Sequence, residues 1–448
     1  MAGRAATTFD EALSRAPMRM FQWVTVLVCM LALISDGIDM QLLGIISPLI
    51  VADFGVDRGT FGFAVGAALV GFGIGAFSGG VLGDRIGRRY ALVIATLIFA
   101  LATAGASLAG GVWSLALWRI LGGIGFGAVY ANALTMASEW VPERIRPVTL
   151  STLSVGTPLG GTVVGWLGPL LAASYGWRST FLFIGLGSLL LVVIIIAVLR
   201  DSPSFLMLKG RTVEAERTAR LVGAEDLELS AGHAGGGAEG PSIGVLDATN
   251  TRFNIGVGLA FAAFAICAYA ILNWTTTYLL PRGFTLAQGG QIISIAGITS
   301  MVGSVLAGIL TRQFGSKRVM IGLSITLLLI MLATAYAVEA LPVAPTETER
   351  LIVLILIGTA GAVFSAGIAM MYVIMAAGYS QSCRSAGIGF GIFMSRVGAI
   401  SGSTFGGALL DLGHGSVIPF FAVLCVSALL VCVAAVIIDR HVPPLGKA

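Results

Sequence analysis

Charged residues are scarce in this sequence, at 11% of its 448 residues. Ordinary soluble domains carry about 25%, so this composition excludes a soluble enzyme held by a single membrane anchor. Hydrophobic residues reach 57%, and 61 residues are glycine. Glycine enrichment suits helices that pack closely in lipid, because small residues let helix backbones approach one another. The composition therefore predicts an all-α integral membrane protein that crosses the bilayer many times.

Cysteine and histidine are also scarce, with five and three residues respectively. The cysteines form no CxxC pair and show no metal-ligand spacing. The histidines all fall in loops, which excludes an intramembrane histidine relay. No combination of a nucleophile and a base is recognisable in the sequence. We therefore expect no enzymatic activity, no metal ion or other cofactor, and no nucleic-acid partner.

Long apolar runs, in contrast, are abundant, and twelve of them are long enough to span a bilayer as helices. We predict spans at 21–51, 60–82, 90–110, 112–138, 148–172, 178–199, 253–280, 287–310, 319–340, 351–377, 385–410 and 417–438. The only long polar connection between them divides the chain into two six-helix halves. The predicted parts are a tail (1–20), the first half (21–199), a linker (200–252) with a short amphipathic helix near 203–222, the second half (253–438) and a second tail (439–448).

The distribution of lysine and arginine predicts the orientation of the chain. With the N-terminus in the cytoplasm, 20 of the 26 basic residues fall in cytoplasmic segments, four lie outside, and Arg119 and Arg396 lie within spans. Basic residues concentrate in the cytoplasmic loops of membrane proteins. We therefore predict an inner-membrane protein with both termini in the cytoplasm.

Two acidic residues lie in the middle of the first apolar run. Asp36 and Asp39 are three residues apart, so they project from one helix face, and each charge costs about 2.5–3.5 kcal/mol at the bilayer centre. Ionisable groups retained at such a cost serve function by default, so we expect one of the two to carry a coupled proton. Asp39 is the first choice because it lies nearer the outer half of the helix, and Asp36 is then expected to pair with Arg119. The alternative is a structural charge pair that only locks helices together.

The two halves contain an internal repeat at an offset of 228 residues. Gly80–Arg89 in the first half corresponds to Gly308–Lys317 in the second, and Gly55 corresponds to Gly283. Two repeated six-helix halves form a transporter architecture, with the substrate site between the halves near the membrane midplane.

The segment Gly80–Arg89 resembles the loop between the second and third helices of the major facilitator superfamily. The pattern Gly-x-Leu-x-Asp-Arg-x-Gly-Arg-Arg is matched at every fixed position. The resemblance implies the major facilitator fold and a gating role for this loop, whose arginines hold the cytoplasmic face closed and anchor it to anionic lipid. The repeat copy has Arg312 where the first has Asp84, which predicts a one-sided ionic latch. The predicted gating residues are Gly80, Asp84, Arg85, Gly87, Arg88, Arg89 and, as a partner of this loop, Glu139.

Within that superfamily, the sequence resembles the aromatic acid:proton symporter family. The matching segments are Asp36–Asp39, Arg119–Gly127 with Asn132, Ser138–Arg144, Leu272–Trp274, Arg384–Gly389 and Arg396–Ala399. The sequence departs from the family after Trp274, where Thr275-Thr276 replaces the usual Leu-Pro. The resemblance implies proton-coupled import of a small aromatic carboxylate, such as a benzoate or hydroxybenzoate, by alternating access.

Buried polar and aromatic residues are the candidates for binding that substrate. Arg396 lies near the middle of its span and no acidic residue lies deep in the second half, so we predict that its guanidinium clamps the substrate carboxylate. Arg119 cannot lose its proton and also needs an anion. Asn273 can donate a hydrogen bond, and aromatic side chains can face a benzenoid ring. The predicted binding residues are Arg119, Arg396, Asn273, Trp274, Tyr130 and Asn132.

Other functions are compatible with parts of the sequence. Gly156–Gly161 partly resembles a motif of drug:proton antiporters, although Thr157 interrupts it and helix packing explains small residues there. Uptake of a non-aromatic organic acid is a second alternative. A substrate sensor is a third, but the linker is short and glycine-rich for a signalling module. We expect a monomer whose partners are the aromatic carboxylate, protons and membrane lipid.

Overall fold

The computed structural model describes Leu13 and residues 17–222, 244–342, 344–380 and 383–444, apart from the side chains of residues 147 and 385. Helices dominate these ranges, and no strand occurs within them. Helices suit lipid because every backbone donor and acceptor finds its partner within the same segment.

The first half holds six membrane crossings. Its helices are α1 (Met20–Phe54), α2 (Arg58–Ile86), α3 (Arg88–Ala106), α4 (Val112–Trp140), α5 (Arg146–Ser154) and α6 (Gly156–Val198). Helix α6 contains two crossings, because the chain bends at Gly176, where φ is +80° and ψ is 165°. The bend lies between the predicted spans 148–172 and 178–199.

Two short helices follow α6 where the sequence predicted an amphipathic helix near 203–222. They are α7 (Pro203–Leu208) and α8 (Thr212–Ala219). Residues 223–243 of the predicted linker lie outside the described residues.

The second half contains six long helices. They are α9 (Thr251–Leu279), α10 (Leu286–Phe314), α11 (Ser316–Glu339), α12 (Glu347–Gly378), α13 (Arg384–Leu412) and α14 (Ile418–Ile437). By length and composition, ten helical stretches of the described chain can cross a membrane. One of them, Val148–Val198, combines most of α5 with all of α6 and accounts for two crossings. Helix α13, with 29 residues packed against α2 and α9, is the twelfth. The predicted fold of twelve helices in two halves is confirmed.

Backbone conformation reproduces the predicted repeat. Gly55 and Gly283 both adopt left-handed conformations, with φ of +61° and +82°. Gly87 and Gly315 join successive helices with nearly the same geometry, at φ of +99° and +81° and ψ of 151° and 149°. A side chain at any of these positions would strain the backbone, so the glycines are retained at the same turns of both halves.

The two halves touch at one end of the bundle. We call the end at which α1 begins and α14 finishes the terminal end, and the other the distal end. Toward the distal end, Thr276 donates to the Gly44 carbonyl across 2.6 Å, and a Cβ added at Gly62 would lie 2.0 Å from the Thr404 carbonyl oxygen. A Cβ at Gly290 would lie 2.2 Å from the Gly165 carbonyl oxygen. These contacts close the distal end, whereas the lining of the space between the halves extends toward the terminal end as far as Ser154 and Tyr372, so we take that end to be open.

Candidate functional site

A central cavity of about 330 Å³ lies between the two halves. Its wall combines helices α1, α4, α5 and α6 of the first half with α9, α10, α12 and α13 of the second. Much of the lining is apolar or aromatic, with a few polar groups, as in most small-molecule sites. The lining includes Tyr130, Thr157, Tyr269, Asn273, Tyr372 and Arg396.

Arg396 supplies the positive charge in this wall. Its Nη1 donates to the Tyr269 hydroxyl across 3.1 Å, and its guanidinium carbon lies 3.9 Å from the centre of the Phe72 ring. Stacking on a ring uses the face of the guanidinium and leaves N–H groups at its edge able to donate. No carboxylate pairs with Arg396 among the described residues. The site can therefore accept an anion from the cavity.

Aromatic rings and one amide surround the same space. Tyr130, which was predicted from the sequence, and Tyr372 line the cavity, and Asn273 lines it while donating to the Ser403 hydroxyl across 2.9 Å. The sequence analysis missed Tyr269. It lies four residues before Asn273, a spacing that places both on one helix face, and that signal could have identified it.

Two predicted binding residues lie outside the cavity wall. Trp274 is completely buried and donates to the Ser403 carbonyl across 3.0 Å, because consecutive helical residues point about 100° apart and Asn273 takes the cavity side. Asn132 donates to the Gly79 carbonyl across 2.8 Å and so joins α4 to α2. It lies two residues from Tyr130, on the far side of α4. Both residues pack the bundle, so their predicted contact with substrate is wrong for this structure.

Arg119 pairs with Asp39, not with Asp36. The Nη1 of Arg119 lies 2.6 Å from Asp39 Oδ2, and the Thr103 hydroxyl donates to Asp39 Oδ1 across 3.0 Å. Both members of the pair are buried and neither lines the central cavity. The predicted Asp36–Arg119 pair is therefore wrong, and so is the predicted place of Arg119 in the cavity wall. Arg119 enters from the distal end of α4, and Asp39 is one helical turn nearer that end than Asp36.

Asp36 has quite different surroundings. Its side chain is 2% exposed, its Oδ2 accepts a hydrogen bond from the Thr157 hydroxyl across 3.3 Å, and its Oδ1 is buried without a partner. No basic side chain forms an ion pair with it among the described residues. On its other side lies a small space, without room for a water molecule, that it shares with Thr96 and Phe99. A buried carboxyl group without a cation is more stable in its neutral form than as an anion.

The predicted gating loop is tied into its own half. Arg88 bonds to Asp84 across 2.5 Å and to Glu139 across 3.1 Å, and the Ser202 hydroxyl donates to Glu139 across 2.7 Å. Asp84 is 68% exposed, and a Cβ added at Gly80 would have no neighbouring atom within 4 Å. At Gly80 and Asp84, this face of α2 is therefore free of close contacts with the described part of the second half, as expected where the terminal end is open.

The turn after α2 depends on Gly87. A Cβ there would lie 2.6 Å from a carboxylate oxygen of Asp201, which accepts the backbone N–H of Arg89 across 2.9 Å. Burial raises the pKa of Asp201, while the hydrogen bond from Arg89 opposes that rise. Arg89 also donates through its side chain to the Ile196 carbonyl, whereas Arg85 is exposed. The loop is thus fixed against the end of α6.

A second latch lies at the distal end, and the sequence analysis missed it. Asp411, at the end of α13, accepts the backbone N–H of Gly59 across 2.8 Å and lies 3.9 Å from the Arg58 guanidinium. Gly59 is in the first turn of α2, where free N–H groups and the helix dipole favour a carboxylate. This contact joins the two halves while the terminal end is open.

Comparisons with known proteins agree with the fold. The sequence profile of the Major Facilitator Superfamily matches residues 29–373. The 4-hydroxybenzoate transporter PcaK of Acinetobacter baylyi is 26% identical over 91% of this chain and 89% of that protein. The gallate transporter of Pseudomonas putida is 27% identical over 89% of this chain and 88% of that protein.

Among solved structures, the xylose transporter XylE of Escherichia coli in an inward-open conformation is similar, with a TM-score of 0.72. It is 20% identical, over 95% of this chain and 98% of that one. At this identity the likeness concerns the fold alone. The profile match over most of the sequence shows the family, and the fold agrees with it. The chain belongs to the Major Facilitator Superfamily.

Proposed function

We propose that this protein imports a small aromatic carboxylate, such as a benzoate or hydroxybenzoate, together with protons across the inner membrane. The observation that carries the proposal is Arg396, a cavity-lining arginine that pairs with no carboxylate in the described ranges and lies beside tyrosine rings. The names of the two relatives, a 4-hydroxybenzoate transporter and a gallate transporter, support the same substrate class.

The cavity offers each part of such a substrate a suitable contact. The edge of the Arg396 guanidinium can donate to both oxygens of a carboxylate, a geometry that lysine cannot reproduce. The hydroxyl of Tyr269 positions that guanidinium. The rings of Tyr130 and Tyr372 provide faces for an aromatic ring, and Asn273 provides a polar contact for a ring substituent.

Asp36 carries the coupled proton in this proposal, and Asp39 holds the bundle together. Asp39 is held in a buried ion pair with Arg119, whereas Asp36 forms no ion pair within the described part of the chain. The order of preference between the two carboxylates is therefore the reverse of the one expected from the sequence.

The terminal end is the cytoplasmic end, so the conformation described here faces inward. The distribution of basic residues supports this orientation. Leu208, 60% exposed just after α6, and Leu108, 79% exposed between α3 and α4, offer a paired test. An impermeant thiol reagent added outside intact cells should label Leu108→Cys and spare Leu208→Cys. Labelling of Leu208→Cys would reverse the orientation.

Transport in proteoliposomes tests the proposal directly. A panel of labelled benzoate, hydroxybenzoates and non-aromatic acids is offered with and without an inward proton gradient. Accumulation of the aromatic acids that depends on the gradient is the expected result. Efflux driven by an inward proton gradient would indicate an antiporter, and accumulation of the non-aromatic acids alone would replace the substrate class.

A further inference from the structure

Asp36 lies behind the cavity wall and not in it. Its carboxyl group is almost completely buried, and the wall residue that contacts it is Thr157, whose hydroxyl oxygen is 3.3 Å from Asp36 Oδ2. Among the described cavity-lining residues, Thr157 therefore offers the hydroxyl through which a proton can leave Asp36 for the cavity.

Close packing of α1 on α6 places Thr157 beside Asp36. A Cβ at Gly37 would lie 2.0 Å from the Thr157 carbonyl oxygen, and a Cβ at Gly160 would lie 2.1 Å from the Ile34 carbonyl oxygen. Any larger residue at either position would push the helices apart and lengthen the contact between the carboxyl and the hydroxyl. The glycine between the two aspartates thus has a geometric purpose.

The other groups that face Asp36 do not offer a second exit. On its own helix, Asp39 is engaged by Arg119 of α4. From α3, Thr96 faces the small space, which has no room for a water molecule and whose remaining wall includes Phe99 and, from α6, Leu191. Arg396 of α13 is the charged group of the central cavity, and Thr157 separates that cavity from Asp36.

We propose that the Thr157 hydroxyl relays the proton between Asp36 and the water of the central cavity. When Asp36 is protonated, its O–H donates to Thr157 Oγ1. The proton of Asp36 then moves to that oxygen while the original hydroxyl proton moves to a cavity water. One O–H bond breaks and one forms at the threonine, Asp36 becomes a carboxylate, and the proton leaves as hydronium. Thr157 is a relay only if Asp36 is the carrier, so this inference rests on the proposed function.

The relay needs a hydroxyl at this position and does not need the methyl group. Thr157→Val keeps the shape but blocks proton release, whereas Thr157→Ser keeps the relay. Thr157→Ala removes the hydroxyl but makes room for a water molecule that can bridge the same gap, so it falls between the two. Substrate exchange without net proton movement should be unchanged in all three.

The test compares these variants in proteoliposomes, with labelled 4-hydroxybenzoate as substrate and an entrapped pH dye. Thr157→Val should slow gradient-driven uptake and the accompanying acidification by about tenfold or more, with counterflow within about twofold of the parent. Thr157→Ser should restore both rates to within about threefold of the parent. The exposed Thr152→Val on α5 is the matched control and should behave as the parent.

Each outcome decides one question. Parental acidification by Thr157→Val would overturn the relay, and so would equal loss of counterflow and uptake in the valine, serine and alanine variants. Failure of the parent itself to exchange any aromatic acid would overturn the proposed function instead. If the valine variant does not fold, the ratio of the alanine to the serine rate decides, and equal rates would reject the relay.

Discussion

Asp39 and Arg119 form a buried ion pair of 2.6 Å between α1 and α4, while Asp36, one turn earlier, hydrogen-bonds only to the Thr157 hydroxyl among the described residues. Two carboxylates of one short motif therefore lie in different electrostatic surroundings. The ion pair gives Asp39 a structural role between α1 and α4. Asp36 can gain and lose a proton without breaking a charge pair.

Replacement of Asp36 should separate coupling from transport. Asparagine resembles the protonated acid in shape and charge, so Asp36→Asn should abolish gradient-driven uptake and retain counterflow exchange. Both are measured in proteoliposomes, normalised to folded protein. Full gradient-driven accumulation by Asp36→Asn would remove this residue from the coupling mechanism.

Replacement of Asp39 should damage folding first. Asp39→Asn leaves the Arg119 guanidinium buried without its anion, which costs about 3–5 kcal/mol for a broken buried pair. Thermal unfolding in detergent should show the loss, and the double variant Asp39→Asn with Arg119→Gln should recover part of it. A variant with parental stability that lacks only coupling would make Asp39 the carrier.

Arg396→Lys tests the carboxylate clamp. Lysine keeps the charge but loses the planar fork, so substrate binding should weaken by about 1.5–3 kcal/mol, the value of one charge-assisted hydrogen bond. Binding is measured by calorimetry with a hydroxybenzoate. The exposed Arg318→Lys is the matched control, and unchanged affinity in Arg396→Lys would make Arg396 a structural charge.

Asp411→Asn should weaken the distal latch. A carboxylate at a helix N-terminus contributes about 0.3–1 kcal/mol, so its loss should shift the population toward the outward-facing state. Spin labels at Ile86→Cys and Phe314→Cys, on exposed repeat-equivalent positions at the terminal end, should move closer together. Asp57→Asn is the control, because Asp57 caps the same helix from within the first half. An unchanged distance distribution in Asp411→Asn would refute the latch.

Asp84→Asn should move the same spin labels apart. Asp84 is largely exposed here and forms an ion pair only with Arg88 among the described residues, so its replacement costs this conformation little. The resemblance of its loop gives it a latching role when the terminal end is closed. Transport should therefore slow while substrate affinity stays nearly constant. A large loss of affinity, with distances unaltered, would instead move the loop into the binding site.

The sequence alone predicted the membrane spans, the repeated glycine turns and the arginine of the cavity wall. The apolar runs specified the twelve spans, because bilayer thickness sets helix length, and the predicted break between 172 and 178 contains the observed bend at Gly176. The repeat offset located glycine turns that recur at Gly87 and Gly315. The sequence also indicates that Arg396 lies deep in an apolar run with no acidic residue at a similar depth in the second half, because this depends only on position along the chain.

Other features were decided only by the tertiary structure. Sequence periodicity gives the angles between residues on one helix but not the rotation of that helix against its neighbours. That rotation is set where glycines allow backbones to touch, as at Gly37 against Thr157 and Gly62 against Thr404. Helix rotation determined that Asp39, and not Asp36, pairs with Arg119. It also turned Trp274 into the core. In the same way, it brought Asp411 to Gly59, which is 352 positions away in the sequence. Each of these contacts joins distant segments, so its energy depends on how the whole bundle packs.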